Sequence, residues 1–415
     1  MELPPTISDF ERRAAEVLPA GAHGYYAGGA GDEITLRDNV AAWQRLALRP
    51  RVMVDCSERD PSTIVLGRRR SHPLIVAPTA FHTLATPEGE TATALGAAAT
   101  DTPFCLSTLS TIGAVELAAG APEVSRWFQL YVFKDRGVTR ELVAAAVEHG
   151  YEALVLTVDL PVFGTRERDM RSGFVLEEAA AVPNLGAAGA RGTLTLPELG
   201  ALLDQSLTWD DIGRFAADSG LPVLVKGVLT SEDARRSIDA GAAGARGALT
   251  LPELGALLDQ SLTWDDVGRF AADSGLPVLV KGVLTSEDAR RAIDAGAAGI
   301  VVSNHGGRQL DTVLSGADAL PAVVDEAGDE LDVLVDGGVR RGTDVVKALA
   351  LGARAVMIGR PVLWGLAVGG TEGVRRVLEL LLADIDTALA LVGAPRGADL
   401  DRSWVQRAPW ATARS

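Results

Sequence analysis

Apolar residues along the chain fall into short unbroken runs, each ending in polar or glycine-rich residues and each followed by a helical pattern. The runs are PLIVAPTA (73–80), PFCLST (103–108), RWFQLYV (126–132), ALVLTVD (153–159), PVLVKG (222–227 and again 277–282), GIVVSNHGG (299–307), LDVLVDGG (331–338) and AVMIGR (355–360). Continuous rather than alternating apolar character is what a parallel sheet covered on both faces requires. Between the runs lie helical stretches such as RELVAAAVEHG (140–150), SEDARRAIDAG (286–296) and TDVVKALALG (343–352), each closing on a glycine suited to a helix C-terminus. The pattern predicts eight distinct βα units plus one repeat of the fifth. Eight parallel strands close into a barrel, so the expected fold class is α/β, a (β/α)8 TIM barrel with its functional residues just past the C-terminal ends of the strands. A doubly wound open sheet is the competing architecture.

The first 70 residues lack this alternation. Ser8 followed by Glu11 reads as a capping box opening a first helix, and residues 1–70 are expected to form an N-terminal helical collar or lid. The barrel is expected over 71–395 and a C-terminal tail over 396–415. Residues 186–240 recur at 241–295, differing only at Thr193/Ala248, Ile212/Val267 and Ser237/Ala292. A solenoid needs three or more units, so this is a tandem duplication of one loop, one strand and one helix. It writes LPVLVKGVL twice, at 221–229 and 276–284, and supplies two candidate lysines, Lys226 and Lys281. Lys281 runs through an intact helix into the complete sixth strand, whereas Lys226 is followed by GAAGARG, a sixth strand that stops after its first turn. Lys281 is therefore expected in the barrel, with the extra segment in the loop after strand 4, on the rim where barrels tolerate insertions. Near-identical copies could also exchange places.

Composition narrows the partners. The formal charge of −16 repels nucleic acid and anionic membrane surfaces, so an anionic ligand must be caught by a few placed arginines. Only Cys56 and Cys105 are present, which excludes a disulfide framework and a Cys-rich metal site and suits a reducing cytosol. The N-terminal MELPPTISDFERRAAEV carries Asp9, Glu11, Arg12 and Arg13 where a signal peptide needs an apolar core, and no window is long and apolar enough for a membrane span. A soluble, cytoplasmic protein is expected.

The strand ends then point to chemistry. APTA (77–80), Ser107, Gln129, Tyr131, Thr157, Asp159 and the strand 5 lysine all approach one mouth. Strand 6 ends in SNHGGRQLD (303–311), where Gly306 and Gly307 allow a sharp turn that sets His305 and Arg308 on the same rim. Such a pair suits a small acid: the guanidinium grips a carboxylate through two parallel hydrogen bonds while the imidazole removes a proton nearby. Asp159, if it reaches His305, would stabilise the imidazolium and raise its pKa. Glycines with Arg340 after strand 7, and Gly359 with Arg360 after strand 8, fall where barrels commonly bind phosphate through backbone N–H groups. His23, His72, His82 and His149 have no such company and read as surface or structural residues.

SNHGGRQLD, FQLYV (128–132), LTVDLPVFGTRERDMRSGF (156–174), VKGVLTSEDA (280–289) and DGGVRRGTDVVKALALGARAVMIGRP (336–361) resemble the FMN-dependent α-hydroxy-acid oxidase and dehydrogenase family, which includes glycolate oxidase, lactate oxidase and mandelate dehydrogenase. The likeness runs from about Ile7 to about Gly393. It implies an FMN-containing (β/α)8 barrel, usually a homotetramer, that oxidises 2-hydroxy acids to 2-oxo acids. By that resemblance His305 would be the catalytic base with Asp159 as its partner. Arg166 and Arg308 would clamp the substrate carboxylate, and Tyr25 and Tyr131 would hydrogen-bond the substrate. Pro78, Thr79, Ala80, Ser107, Gln129, Thr157, Lys281 and Ser303 would surround the flavin ring and ribityl chain. Asp336, Gly338, Arg340, Gly359 and Arg360 would hold the ribityl and phosphate. An ammonium near the flavin would favour its reduced, negatively charged form.

Leu109 falls where glycolate oxidase-like members carry a bulky aromatic, and Phe163 lines another wall. The pocket is thus expected to admit an aromatic L-2-hydroxy acid such as mandelate or 4-hydroxymandelate, with lactate or another short acid as the alternative. Oxygen is the expected acceptor, giving hydrogen peroxide; a soluble quinone or protein acceptor is the alternative. Two other classes stay open: an isomerase or aldolase using the strand 5 lysine as a Schiff base, and an inactive or scaffold-like barrel disrupted by the duplication.

Overall fold

The computed structural model describes residues 3–133, 135–160, 163–172, 174, 182–184, 258–259 and 262–412. Eight parallel strands close into a barrel: β1 (Leu74–Val76), β2 (Phe104–Ser107), β3 (Arg126–Leu130), β4 (Leu154–Thr157), β5 (Val278–Val283), β6 (Gly299–Val302), β7 (Asp332–Val335) and β8 (Ala355–Ile358). Neighbours in the barrel are neighbours in sequence, and β8 pairs with β1 to complete the ring, which bears out the (β/α)8 expectation over the open sheet.

The period-two alternation of a strand sorts every strand's side chains between two cores. Leu74, Phe104, Leu106, Phe128, Leu154, Val280, Ile300 and Val333 pack outward against the helices. Ile75, Ala77, Cys105, Trp127, Val155, Leu279, Val301, Leu334 and Met357 fill the barrel interior. A hairpin of Thr63–Val65 and Arg68–Arg70 adds Val65 to this inner core, and the Leu66 N–H donates to Asp332 Oδ2 at the N-terminal end of β7. That end of the barrel is plugged.

The same parity builds the other end. Two residues beyond Ala77, Cys105, Trp127, Val155, Leu279, Val301, Leu334 and Met357 stand Thr79, Ser107, Gln129, Thr157, Lys281, Ser303, Asp336 and Gly359. An apolar interior layer is thus followed, strand by strand, by polar groups or glycine at the C-terminal mouth. This pattern, rather than any single motif, makes the mouth the place for chemistry.

The N-terminal region folds as three helices, α1 (Ile7–Val17), α2 (Ala20–Ala27) and α3 (Ile34–Gln44), lying against the barrel. The first helix opens earlier than the Ser8/Glu11 pair suggests: Thr6 is the N-cap, and its hydroxyl accepts from the Asp9 N–H. Residues 397–412 are packed rather than trailing. Val405–Arg407 pairs antiparallel with Leu46–Leu48, and Trp404 is buried with the guanidinium of Arg51 3.7 Å over its ring.

The second copy of the duplicated segment supplies β5 and the helix after it, Ser286–Asp294, so Lys281 lies in the barrel opposite Thr157 of β4 and Val301 of β6. Lys226, with the first copy, lies outside the described residues. Between Lys281 and Val283 the register shifts at a bulge built on Gly282 (φ 116°). A Cβ there would lie 2.6 Å from the Cβ of Asp159, so glycine lets the fifth strand pass that carboxylate.

Candidate active site

The polar residues at the mouth form two connected groups. Ser107 Oγ donates to Gln129 Oε1 (3.2 Å), and Gln129 Nε2 donates to Thr157 Oγ1 (3.1 Å). Across the mouth, Lys281 Nζ donates to Ser303 Oγ (2.8 Å) and lies 3.2 Å from Asp336 Oδ2. Burial pushes the Lys281 ammonium toward deprotonation, but the carboxylates of Asp336 and Asp159 outweigh it and hold its pKa above the ordinary value. A fixed positive charge therefore sits at the top of the barrel.

His305 follows on a turn of unusual backbone. His305, Gly306 and Gly307 have φ of 58°, 65° and 74°, three left-handed residues in succession. For an L-residue such as His305 this conformation costs about 1–2 kcal/mol, so its surroundings must impose it. The His305 N–H donates to Ser303 Oγ (3.0 Å). Its Nδ1 lies 2.9 Å from Asp159 Oδ1, and its Nε2 lies 3.4 Å from the Tyr131 hydroxyl. Asp159 does favour the imidazolium, as expected, yet burial is the larger influence and the net His305 pKa is lowered. The imidazole is thus neutral at pH 7, with Nδ1 oriented by a carboxylate and Nε2 turned to the cleft. Burial raises the Asp159 carboxyl, but His305 and Lys281 together bring it below its ordinary value.

Two arginines complete the rim. Arg308 Nη1 donates to the carbonyls of Tyr25 and Gly28, and its guanidinium lies 4.6 Å from the centre of the Tyr25 ring. Arg166 donates from Nε to the Arg308 carbonyl and from Nη2 to Gln309 Oε1, each at 3.3 Å. Arg308 Nη2 and Arg166 Nη1 are buried without a hydrogen-bond partner among the described residues, Asp169 Oδ2 lying 4.0 Å from Arg166 Nη1. Burial, then the charge of Arg308, brings the Arg166 pKa to about 10. Two unspent cationic donors on one rim are what a carboxylate would satisfy.

The resulting cleft has about 1020 Å³ of empty space, counting the part open to solvent. Every site residue expected from sequence lines it except Asp159 and Ser303, which stand directly behind His305 and Lys281. Tyr25 lies there with its ring stacked 4.9 Å from Phe174, and Leu109 and Phe163 form apolar walls. Arg340 and Arg360 line the far end, but Arg360 spends three donors on the carbonyls of Tyr26, Gly28 and Gly306, clamping the collar to the strand 6 turn. Sequence reasoning missed Tyr26, which lines the cleft and donates its hydroxyl to the Phe81 carbonyl at 2.6 Å; the neighbouring Tyr25 was the only signal for it.

A sequence model described as FMN-dependent dehydrogenase matches residues 14–245 and 248–407, two stretches meeting close to the junction of the duplicated copies. The chain belongs to this family. It is 43% identical over 405 residues to an L-lactate oxidase of Nostoc sp., covering 97% of this chain and 98% of that protein. It is 38% identical over 408 residues to human 2-hydroxyacid oxidase 1, covering 98% of each. Among solved structures, mandelate oxidase with (S)-4-hydroxymandelic acid superimposes with a TM-score of 0.78 at 37% identity, covering 95% of this chain and 96% of that one. A mutant of an active chimera of (S)-mandelate dehydrogenase gives 0.79 at 34% identity, covering 97% and 99%.

The cofactor is FMN, and the protein is an oxidoreductase acting on 2-hydroxy acids. The cleft's own chemistry fits such a group. Asp336 Oδ1 is buried with no hydrogen-bond partner among the described residues, as an acceptor for polyol hydroxyls would be before they arrive. Beside it, Gly337 and Gly338 have φ of 95° and 79° and line the cleft with backbone alone. Among the described residues no helix is long and apolar enough to cross a membrane.

Proposed function

We propose that the protein oxidises an aromatic L-2-hydroxy acid, mandelate or 4-hydroxymandelate, to the 2-oxo acid, with molecular oxygen as acceptor and hydrogen peroxide as second product. The substrate carboxylate binds the unspent donors Arg166 Nη1 and Arg308 Nη2, and Tyr25 and Tyr131 orient the α-hydroxyl. His305 Nε2 takes the proton the substrate releases, and Asp159 at Nδ1 stabilises the imidazolium that forms. FMN, when bound, supplies the two-electron acceptor. Pro78, Thr79, Ala80, Ser107, Gln129, Thr157, Lys281 and Ser303 are proposed around its ring system, with Asp336, Gly338, Arg340, Gly359 and Arg360 along its ribityl and phosphate. Lys281 holds positive charge where reduction adds negative charge.

The observation that carries the substrate class is Leu109, a buried isobutyl group on the cleft wall where a bulkier aromatic side chain would take up more of the cleft. The mandelate oxidase and mandelate dehydrogenase structures support the same reading. The Nostoc relative favours a second one, in which lactate is the substrate. Anaerobic addition of each acid to the purified yellow protein tests both. Mandelate is expected to bleach the visible flavin absorption faster than lactate, and in air one peroxide should appear per acid consumed. Faster bleaching by lactate would replace the aromatic assignment, and absence of peroxide would replace oxygen as acceptor.

A further inference from the structure

Helix α3 of the N-terminal region touches the cleft's support from behind, through a side chain that lines no part of the cleft. Asn39 and Asn304, 2% and 5% exposed, form a reciprocal amide pair. Asn39 Nδ2 donates to Asn304 Oδ1 at 2.9 Å, and Asn304 Nδ2 donates to Asn39 Oδ1 at 2.7 Å. Each remaining valence of the Asn304 amide is also used: Oδ1 accepts the Gly307 N–H at 3.0 Å, and Nδ2 donates to the Leu314 carbonyl at 3.0 Å. Flipping either amide would set N–H against N–H, so the pair fixes its own orientation.

The residues bracketed by the Asn304 side chain and its bond to Gly307 are His305 and Gly306, the left-handed turn that carries the base. That backbone persists only where its surroundings over-determine it. Among the described residues Asn39 is the one partner of the Asn304 side chain from outside the strand 6 loop, and it acts beside two backbone anchors of the same turn, Arg360 Nη1 at the Gly306 carbonyl and the Ala30 N–H at the Gly307 carbonyl. The same helix grips the glycine-rich loop after β7. A Cβ on Gly338 would come 1.8 Å from the Asn39 carbonyl oxygen, one on Gly337 would come 3.2 Å from Asn39 Oδ1, and Trp43 Nε1 donates to the Gly337 carbonyl at 2.9 Å.

We propose that Asn39 is a positioning residue: through Asn304 it holds His305 in its left-handed turn, on a helix whose Trp43 bonds the neighbouring Gly337–Gly338 loop. The inference rests on His305 being the base of the reaction proposed above. A residue that merely filled space would tolerate leucine, which shares the branched heavy-atom skeleton of asparagine and makes no hydrogen bond. Misplacing a reacting group by about 1 Å costs on the order of 10²-fold in rate, which sets the size of the effect sought.

Asn39→Leu and Asn39→Asp in the full, FMN-loaded chain test the proposal. Leucine removes both bonds; aspartate can still accept from Asn304 Nδ2 but has no N–H for Asn304 Oδ1. In crystal structures of both variants, the 304–307 turn is expected to leave its left-handed geometry or His305 Nδ1 to move out of hydrogen-bond reach of Asp159. Stopped-flow reduction by mandelate is expected to slow by about 10²-fold, with flavin retained and little change in the dissociation constant of the 2-oxo acid. Turns that superimpose on the parent in both variants, or a loss confined to flavin affinity, would overturn it. If the leucine variant fails to fold, the aspartate variant alone decides. Should the parent enzyme not be reduced by any 2-hydroxy acid, the reaction assignment fails, while the crystal structures still judge Asn39.

Discussion

Asp159 Oδ1 sits 2.9 Å behind His305 Nδ1, so the carboxylate and the Tyr131 hydroxyl, 3.4 Å from Nε2, hold the imidazole from opposite ends. A base must be neutral to accept a proton, and burial lowers the His305 pKa below the ordinary 6.5 despite the opposing pull of Asp159. The expected kcat/KM profile is therefore flat through neutrality and falls only as pH drops through a value below 6.5. Asp159→Asn removes an influence that raises this pKa, so the acidic limb should move further down. The plateau should fall by about 10²- to 10⁴-fold, because the imidazolium loses its partner and Nδ1 its orientation. A pH series from acid to neutral reads both effects; a limb that moves up contradicts the arrangement.

Arg166 and Arg308 bring two like charges onto one rim, each with a donor to spare. A substrate carboxylate relieves that repulsion and satisfies both donors. Arg166→Met should therefore weaken binding of the acid by about 1.5–3 kcal/mol, the worth of a hydrogen bond to a charged group, or more than tenfold in kcat/KM. Product-analogue titration of the variant, followed by flavin absorbance, measures the binding share separately. Unchanged affinity would place the carboxylate elsewhere.

The duplication makes a prediction of its own. Lys281 is bonded to Ser303 and paired with Asp336 in the ring of strands, whereas its sequence twin Lys226 lies outside the described residues. Lys281→Met is expected to abolish turnover or lower it by orders of magnitude, since it deletes the charge that favours the reduced cofactor, and Lys226→Met to leave turnover near the parent level. Partial loss in both single variants would show that the two copies exchange in the barrel.

Much of this arrangement was legible because a closed parallel barrel imposes a simple rule. An inward apolar residue followed two positions later by a polar one marks the mouth, and Cys105/Ser107, Trp127/Gln129 and Leu279/Lys281 obey it in sequence. Contacts between distant segments do not show in such periodicity. Asn39 and Asn304 are 265 residues apart, and nothing in LRDNVAAW distinguishes Asn39 from a solvent-facing helix residue. The net direction of the His305 pKa was hidden for a similar reason: the carboxylate partner is visible as a residue, whereas burial is a property of the folded whole. The helix start at Thr6 was missed because two overlapping capping patterns lie two residues apart, and Thr6 was the one that reached the Asp9 N–H.

Leu109 offers the sharpest test of substrate class. Its side chain is 2% exposed and lies on the cleft wall with Phe163 and Tyr131 on neighbouring elements, so any larger group there must project into the space proposed for the substrate side chain. An indole at this position would occupy volume an aryl ring needs while leaving room for a methyl group. Leu109→Trp should therefore lower kcat/KM for mandelate by about 10- to 200-fold, the range a hydrophobic pocket commonly discriminates, and spare lactate. The ratio of the two kcat/KM values is the quantity to measure, because a general loss of stability or flavin would reduce both alike. If the substitution depresses both acids equally, Leu109 does not face the substrate side chain, and the aromatic assignment loses its structural support.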